Sequence, residues 1–309
     1  MKDTPTIVVV GSLNVDHTFR VPMFPKPGET LVSSGSETCF GGKGGNQAVA
    51  ASRAGAKVRL IGCVGDDEPG HRYLDHLAEE GIDFTGVLVS EDKPTGSAFI
   101  TVDDSGENCI VVNPGANHAL TQEKIGELSG LMLGADALLI QLECPLDVVI
   151  RAAEIAKKAG VAVILNPSPW MEDLKGLGDI ADVMIVNETE AQALTGRSAE
   201  SVGFVDIPND GVTLIITRGA RQILGFGNKG GRIEIQPPEV IPLDTVGAGD
   251  AFAGAFAVAH ASGHSLTDAI WFASASGALA TLMPGAQSAI PSKPAILEFL
   301  KQHHAITGL

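Results

Sequence analysis

The segment ALLIQLECPLDVVIRAAEIAKKAGVAVILN, residues 137–166, decides the fold class of this 309-residue chain. It opens on a short apolar run, ALLIQLE (137–143), passes through a helix-like stretch, PLDVVIRAAEIAKKAG (145–160), and closes on a second apolar run, VAVILN (161–166). Both runs are short and continuous rather than alternating, which suits strands buried on both faces of a parallel sheet. The same alternation extends in both directions. Strand-like runs recur at TIVVVG (6–11), VRLIGCVG (58–65), DVMIVN (182–187) and TLIITRG (213–219). Helix-like stretches recur at NQAVAASRAGA (46–56), GHRYLDHLAEEG (70–81) and NETEAQALTG (187–196), and further helices are expected near 248–261, 265–282 and 292–303. Strand–helix alternation of this kind predicts an α/β, doubly wound, mostly parallel sheet.

Two segments break the pattern. Residues 15–38 and 95–112 alternate polar and apolar residues between Pro, Gly and Asp turns, as in SAFITV and NCIVV. They fit neither a crossover helix nor the central sheet, so they predict a small β-sheet set over its carboxyl edge as a lid or dimer surface. With no linker or internal repeat, 1–309 reads as a single domain carrying that lid.

Composition narrows the partners. The formal net charge is −16 with only 21 Lys plus Arg, which disfavours nucleic acid and anionic membranes. No apolar run is long enough to span a bilayer and the N-terminus lacks a cleavage pattern, so the expectation is a soluble, cytoplasmic protein. The four cysteines, Cys39, Cys63, Cys109 and Cys144, form no CxxC pair and read as reduced thiols.

The polar residues sit where a site would be. After the first strand come Asn14 and Asp16, two apart and so on one side of an extended chain. Glu143, Asn166, Asn187 and then Arg218 with Gly219 follow four later strands. Ligands of open parallel sheets bind beyond the carboxyl ends of the strands, so this register predicts a site there.

Two glycine clusters join it. In FGGKGGNQAVAA (40–51), Gly42, Lys43 and Asn46 stand at the entry to an Ala-rich helix, ready to close on a small hydroxylated ligand. In DTVGAGDAFAGAF (244–256), Gly247, Ala248 and Gly249 begin an apolar helix whose bare N–H groups and dipole suit an anion. Asp250 in that first turn could simply complement the dipole. It could equally accept the proton of an attacking hydroxyl, and phosphoryl transfer asks for little more than such a base beside an anion cradle. Convergence with Asn14, Asp16, Lys43, Asn46 and Glu143 favours catalysis. Two motif matches are decoys: GFGNKG (225–230) lies between two strand-like runs as a hairpin turn instead of opening a helix, and NET (187–189) has no secreted context. A nicotinamide-dependent dehydrogenase is disfavoured on the first count.

These stretches together identify a resemblance. GSLNVD, FPKPGET, FGGKGGNQAVAA, PGANHALT, LLIQLECPL, NETEAQALTG, DTVGAGDAFAGAF and PGAQSAIP, in this order over nearly the whole chain, resemble the ribokinase-type sugar kinase family. The resemblance implies a Rossmann-like domain, a β lid that also forms a homodimer, and ATP- and Mg2+-dependent phosphorylation of a sugar hydroxymethyl group. It implies sugar binding by Asn14, Asp16, Gly42, Lys43, Asn46, Glu143 and Asp250, with Asp250 as base and the amides of Gly247 to Asp250 as anion hole. It assigns nucleotide contacts to Asn187, Glu190, Thr217, Gly219, Gln222, Gly249 and Ser274, with Glu190 linked to the magnesium–phosphate network. A K+ site would use Asp244, Val246, Ala280, Met283 and Gly285. D-ribose leads as acceptor, ahead of deoxyribose, another small sugar, a nucleoside, or a catalytically silent sugar binder.

The chain also departs from the family pattern. TRGARQ (217–222) replaces the usual T-L-G-x-x-G, Ser288-Ala289 replaces Pro-Ser, and residues 198–211 are too short for a full peripheral helix.

Overall fold

A computed structural model describes residues 4–171, 177–207, 211–227 and 231–303. Thirteen strands and nine α-helices are found among them. The strands are β1 (Thr6–Val10), β2 (Asn14–Val21), β3 (Gly35–Gly41), β4 (Lys57–Gly65), β5 (Asp83–Ser90), β6 (Gly96–Asp103), β7 (Asn108–Asn113), β8 (Ala137–Ile140), β9 (Ala162–Leu165), β10 (Val183–Asn187), β11 (Thr213–Thr217), β12 (Ile223–Phe226) and β13 (Arg232–Ile235). The helices are α1 (Lys43–Arg53), α2 (Glu68–Glu79), α3 (Gln122–Glu127), α4 (Leu146–Lys158), α5 (Leu177–Ile180), α6 (Glu188–Thr195), α7 (Ala248–Ala261), α8 (Leu266–Ala280) and α9 (Lys293–His303).

The main sheet has the order β13-β12-β11-β10-β9-β8-β1-β4-β5. Its neighbours are parallel from β11 to β5, and β12 and β13 add an antiparallel edge. The apolar runs predicted to be strands are those strands. β8 is wholly buried, as are four of the five residues of β1, because helices cover both faces. One strand escaped prediction: β5, DFTGVLVS, is a half-exposed edge whose burial follows no clean period. The GFGNKG stretch falls between antiparallel β12 and β13, consistent with a hairpin, although residues 228–230 lie outside the described residues. Between α6 and β11 the described residues carry only 3-10 turns, at 199–201 and 204–206.

From β1 the chain builds outward through β4 and β5, then returns to the far side of β1 with β8. The strand order therefore reverses between β1 and β8. A crevice opens beyond the carboxyl ends of two such strands, where their connections diverge.

The segments expected to form a lid make a second sheet, β3-β2-β6-β7, in which β2 pairs parallel with β6 and antiparallel with β3. β7 is exposed along its whole length. No described helix is long and apolar enough to cross a membrane.

Glycine is required where α1 meets β1. A Cβ on Gly44 would lie 2.4 Å from the Gly11 carbonyl carbon, so the helix start and the strand end touch backbone to backbone. That contact brings the first turn of α1 to the crevice.

Candidate active site

The crevice between β1 and β8 is bridged by side chains. Ser12, just beyond β1, donates its hydroxyl to Glu143 Oε2 at 2.5 Å, and the Lys43 main-chain N–H donates to the same oxygen at 3.0 Å. Glu143 thus ties the β8 end, the β1 end and the start of α1 together. Asn14 and Asp16 project from β2 on the same side. Asn14 is buried, and its Oδ1 accepts from Asn117 Nδ2 at 2.7 Å. Asn117 also accepts from the Leu13 N–H at 2.8 Å, which sets where the chain leaves the main sheet for the small one.

Asp16 carries the chemistry expected of a polar ligand's partner. Burial, and then the negative charges of Glu143 and Asp250, push its carboxyl up to about 7 from an ordinary value of 3.8. Its Oδ1 is buried without a hydrogen-bond partner. A buried acceptor left unmet is costly, so this oxygen calls for an incoming hydroxyl donor. Lys43 faces the same cluster. Burial works against its charge, but Asp250, Glu143 and Glu190 together outweigh that and hold the ammonium above the usual lysine value.

Asp250 lies in the first turn of α7, a helix of Ala, Gly and Phe that is buried along most of its length. It is only 7% exposed. A carboxylate at such depth needs partners on both oxygens. Asn46 Nδ2 donates to Oδ2 and Gln47 Nε2 to Oδ1, each at 2.9 Å.

The helix before it starts on Gly247, with φ +75°. A side chain there would meet Ala286 Cα at 3.0 Å, so both the turn and the packing exclude other residues. The Ala248 N–H turns back on Thr245 O at 3.3 Å. A Cβ on Gly249 would meet nothing within 4 Å, so the space beside the first-turn amides is open.

The residues expected to contact a nucleotide form a looser group. Asn187 and Glu190 make a reciprocal capping box on α6, with bonds of 2.8 and 2.9 Å. This accounts for their spacing on structural grounds, while Glu190 still faces Lys43 through space. Thr217 pairs in register with Asn187, and the turn after it bends at Gly219, φ +59°. The departures in TRGARQ form an ion lattice. Arg218, its side chain 9% exposed, pairs with Glu188 at 3.1 Å and with Glu200, and Arg221 pairs with the same two carboxylates. Gln222 contributes its carbonyl to Arg218. Ser274 is buried on α8 with no partner for its hydroxyl.

Asp244 staples two loops, accepting from the Val246 N–H at 3.0 Å and the Gly285 N–H at 2.9 Å. Ala280 ends α8 nearby, Met283 is exposed, and Ser288 donates to Pro284 O at 3.0 Å. Cys144, beside Glu143, is buried and its thiol is pushed up to about 12, which fits an inert core residue.

Several residues of this site are not among the predicted ligands, although Gln47, Asn117, Gln141 and Gln287 lie inside the stretches FGGKGGNQAVAA, PGANHALT, LLIQLECPL and PGAQSAIP. Gln47, Gln141, Asn117, Tyr73 and Gln287 are all buried. Tyr73 donates to Gly41 O at 2.7 Å and accepts from Gln287 Nε2 at 2.7 Å, which links the first glycine cluster to the 284–289 loop. The one signal for Gln47 and Gln141 was an amide inside an otherwise apolar run.

Comparison with known proteins gives a consistent result. Residues 4–293 match the family described as pfkB family carbohydrate kinase. The chain is 42% identical over 302 residues to the ribokinase of Haemophilus influenzae, spanning 96% of this chain and 98% of that one. It is 32% identical over 301 residues to the deoxyribokinase of Salmonella typhi, spanning 95% and 98%. Among solved structures, Arabidopsis thaliana ribokinase complexed with ribose and ATP matches with a TM-score of 0.88 at 31% identity, over 96% of this chain and 99% of that one.

Proposed function

This chain belongs to the pfkB family of carbohydrate kinases and is a sugar kinase; from that premise we propose that it phosphorylates the primary hydroxyl of D-ribose with ATP, yielding D-ribose 5-phosphate. The observation that carries the reading is the placement of Asp250. It is a buried carboxylate held on both oxygens, beside the open space at Gly249 and across the crevice from Asp16.

In this reading the sugar lies between Asn14, Asp16, Gly42, Lys43, Asn46 and Glu143. The unmet Asp16 oxygen accepts from a ring hydroxyl, and Asn14 and Asn46 complete the polar lining. Asp250 takes the proton of the primary hydroxyl as that hydroxyl's oxygen bonds to the γ-phosphorus of ATP and the bond to the bridging oxygen breaks, releasing ADP. The amides of Gly247, Gly249 and Asp250, joined by that of Ala248 once it leaves Thr245 O, and the Lys43 ammonium meet the charge that develops on the phosphoryl oxygens. The small sheet of β2, β3, β6 and β7 acts as a lid that excludes water from the transfer, and 1–309 works as one kinase domain. Its exposed apolar side chains, Phe19, Phe99, Ile110 and Val112 among them, would pair two copies lid to lid. The enzyme would act in the cytoplasm.

Nucleotide binding falls to Asn187, Glu190, Thr217, Gly219, Gln222, Gly249 and Ser274. The buried Ser274 hydroxyl is a donor without a partner, which supports its place in that group. Magnesium would supply charge neutralisation when bound, and Glu190, the carboxylate near Lys43 on the α6 side, is the residue of this chain that would be linked to it. The loops around Asp244 fit a potassium ion by donor chemistry. Val246, Ala280, Met283 and Gly285 offer main-chain carbonyls, and Asp244 already binds both loops together, so a hard cation there would stiffen the turn at Gly247.

A second acceptor stands close. Similarity to a deoxyribokinase makes 2-deoxyribose the rival. The decisive experiment is ADP release from ATP and magnesium with D-ribose, 2-deoxyribose, fructose, adenosine and uridine as separate acceptors. Turnover on ribose far above the others is expected. Preferential turnover on another acceptor keeps the mechanism and replaces the substrate. Ribose binding without turnover on any acceptor would leave a silent binder.

A further inference from the structure

Asn166 and Gln141 stand at the carboxyl ends of two central strands, where ligands are expected, yet neither has a part in the proposed sugar or nucleotide contacts. They meet at Gln47. Gln141 Nε2 donates to Gln47 Oε1 at 2.6 Å, and Gln47 Nε2 donates to Asn166 Oδ1 at 3.0 Å and to Asp250 Oδ1 at 2.9 Å. Asn166 Nδ2 donates in turn to Ile185 O, the main-chain carbonyl on β10, at 2.8 Å.

The direction of every bond in this relay is set from its end. Ile185 O can only accept, so Asn166 must present its amino group there and its oxygen to Gln47. Gln47 must therefore present its amino group to Asn166, and the second hydrogen of that group points at Asp250. Its own oxygen is left to accept, and Gln141 supplies the donor. The cost falls at the far end. Gln141 Oε1 is buried with no partner, pressed against Gly11, where an added Cβ would sit 2.1 Å from it. An orphaned buried acceptor is a net penalty unless the bonds it permits are needed elsewhere.

We infer that Gln47, oriented by Asn166 and Gln141, is the positioning residue of Asp250: it fixes the carboxylate so that an oxygen points at the attacking hydroxyl, and so links the catalytic turn to the core of the sheet. The inference rests on the reading of Asp250 as the base. Asn46 holds the other oxygen but stands among the proposed sugar ligands, with its own Oδ1 buried and without a partner, so its contacts change when substrate binds. Gln47 is wholly buried and can shift only with the relay.

The test compares Gln47→Met, Gln47→Glu and Asn166→Leu with Asp250→Asn, reading kcat, the KM for ribose and for ATP, ribose affinity by calorimetry, and thermal stability. Gln47→Met keeps the side-chain length and removes the donor; kcat is expected to fall by about tenfold or more while both KM values stay within about threefold. Asn166→Leu leaves Gln47 in place without its orienting acceptor and should fall in the same direction by less. Gln47→Glu faces Asp250 with a second carboxylate, so its rate at neutral pH should be the lowest of the three relay variants and should recover as pH falls and the pair takes up a proton. If Gln47→Met is merely less stable, with wild-type kcat per folded molecule while Asp250→Asn is inactive, the positioning role is wrong and the base assignment stands. If Asp250→Asn itself turns over normally, the base reading fails first. Should Gln47→Met not fold, Asn166→Leu and the pH response of Gln47→Glu decide the matter.

Discussion

The two sides of the crevice are built on different principles. The acceptor side is a close-fitting set of neutral amides and carboxylates: Asn14 on Asn117, Glu143 on Ser12 and the Lys43 amide, Asp250 between Asn46 and Gln47. Asn14, Asn46, Gln47 and Asp250 are buried. The proposed nucleotide side is a glycine turn clamped by full charges, Arg218 and Arg221 against Glu188 and Glu200, with Arg221 and Glu200 largely in solvent. A small sugar offers only hydroxyl groups, and hydroxyls are distinguished by direction and distance, which needs buried, pre-aimed partners. A nucleotide offers a large surface and several charges, which a turn of fixed position can hold with fewer directional demands.

Substitutions should break the two sides differently. The largest effect falls at the meeting point: Asp250→Asn should lower kcat by about a hundredfold or more while ribose still binds in calorimetry. Near-normal turnover would remove the base from the mechanism.

Next is Asp16→Asn. The ribose KM should rise by about tenfold or more with ATP KM little changed, since a hydroxyl loses its charged acceptor. The same variant sharpens the electrostatic argument. The Asp16 carboxyl stands at about 7 in the folded chain against 3.8 ordinarily, so its favourable contribution to stability is complete below about 3.8 and is lost as pH rises through about 7. The asparagine variant should therefore melt higher than wild type at pH 8, and the gain should shrink steadily towards pH 5. A pH-independent difference in Tm would contradict the burial of that charge.

On the proposed nucleotide side, Arg218→Leu removes the buried one of the two arginines that Glu188 and Glu200 share and leaves only the exposed Arg221 between them. A severalfold rise in ATP KM, with ribose KM unchanged, is expected from steady-state kinetics. Equal loss on both substrates would mean that the two sides are less separate than they look. The smallest effect is potassium against sodium at saturating magnesium, where a modest gain in kcat is expected. Indifference would mean that Ser288, tied to Pro284 O, has closed the 284–289 loop around an altered site.

Legibility in the sequence followed burial. β1, β4, β8, β9, β10 and β11 were readable because a strand covered on both faces must be apolar throughout. β5 was not, because an edge strand needs no such run. The small sheet was readable from the alternation of its residue types, although its burial does not follow that period: β7 is exposed along its whole length. Asn14, Asp16, Glu143 and Asn187 stood out as polar residues following those runs, and Asp250 as a carboxylate at the start of an apolar helix. Asn117, Tyr73 and Gln287 gave no such signal. Their partners are remote in sequence, as Tyr73 shows with Gln287, 214 residues away.

The sequence by itself determined the layered α/β architecture, the mostly parallel sheet, the small second sheet and the residue types gathered at the carboxyl edge, because hydrophobic period and glycine placement act locally along the chain. Only the tertiary structure decided how those residues act on one another. It raised the Asp16 carboxyl by setting it near Glu143 and Asp250, and it turned Asn166 and Gln141 inward to Gln47. It also converted the TRGARQ departure into an ion lattice with Glu188 and Glu200. Charge interaction and hydrogen-bond direction depend on distance through space, and folding sets that distance independently of separation along the chain.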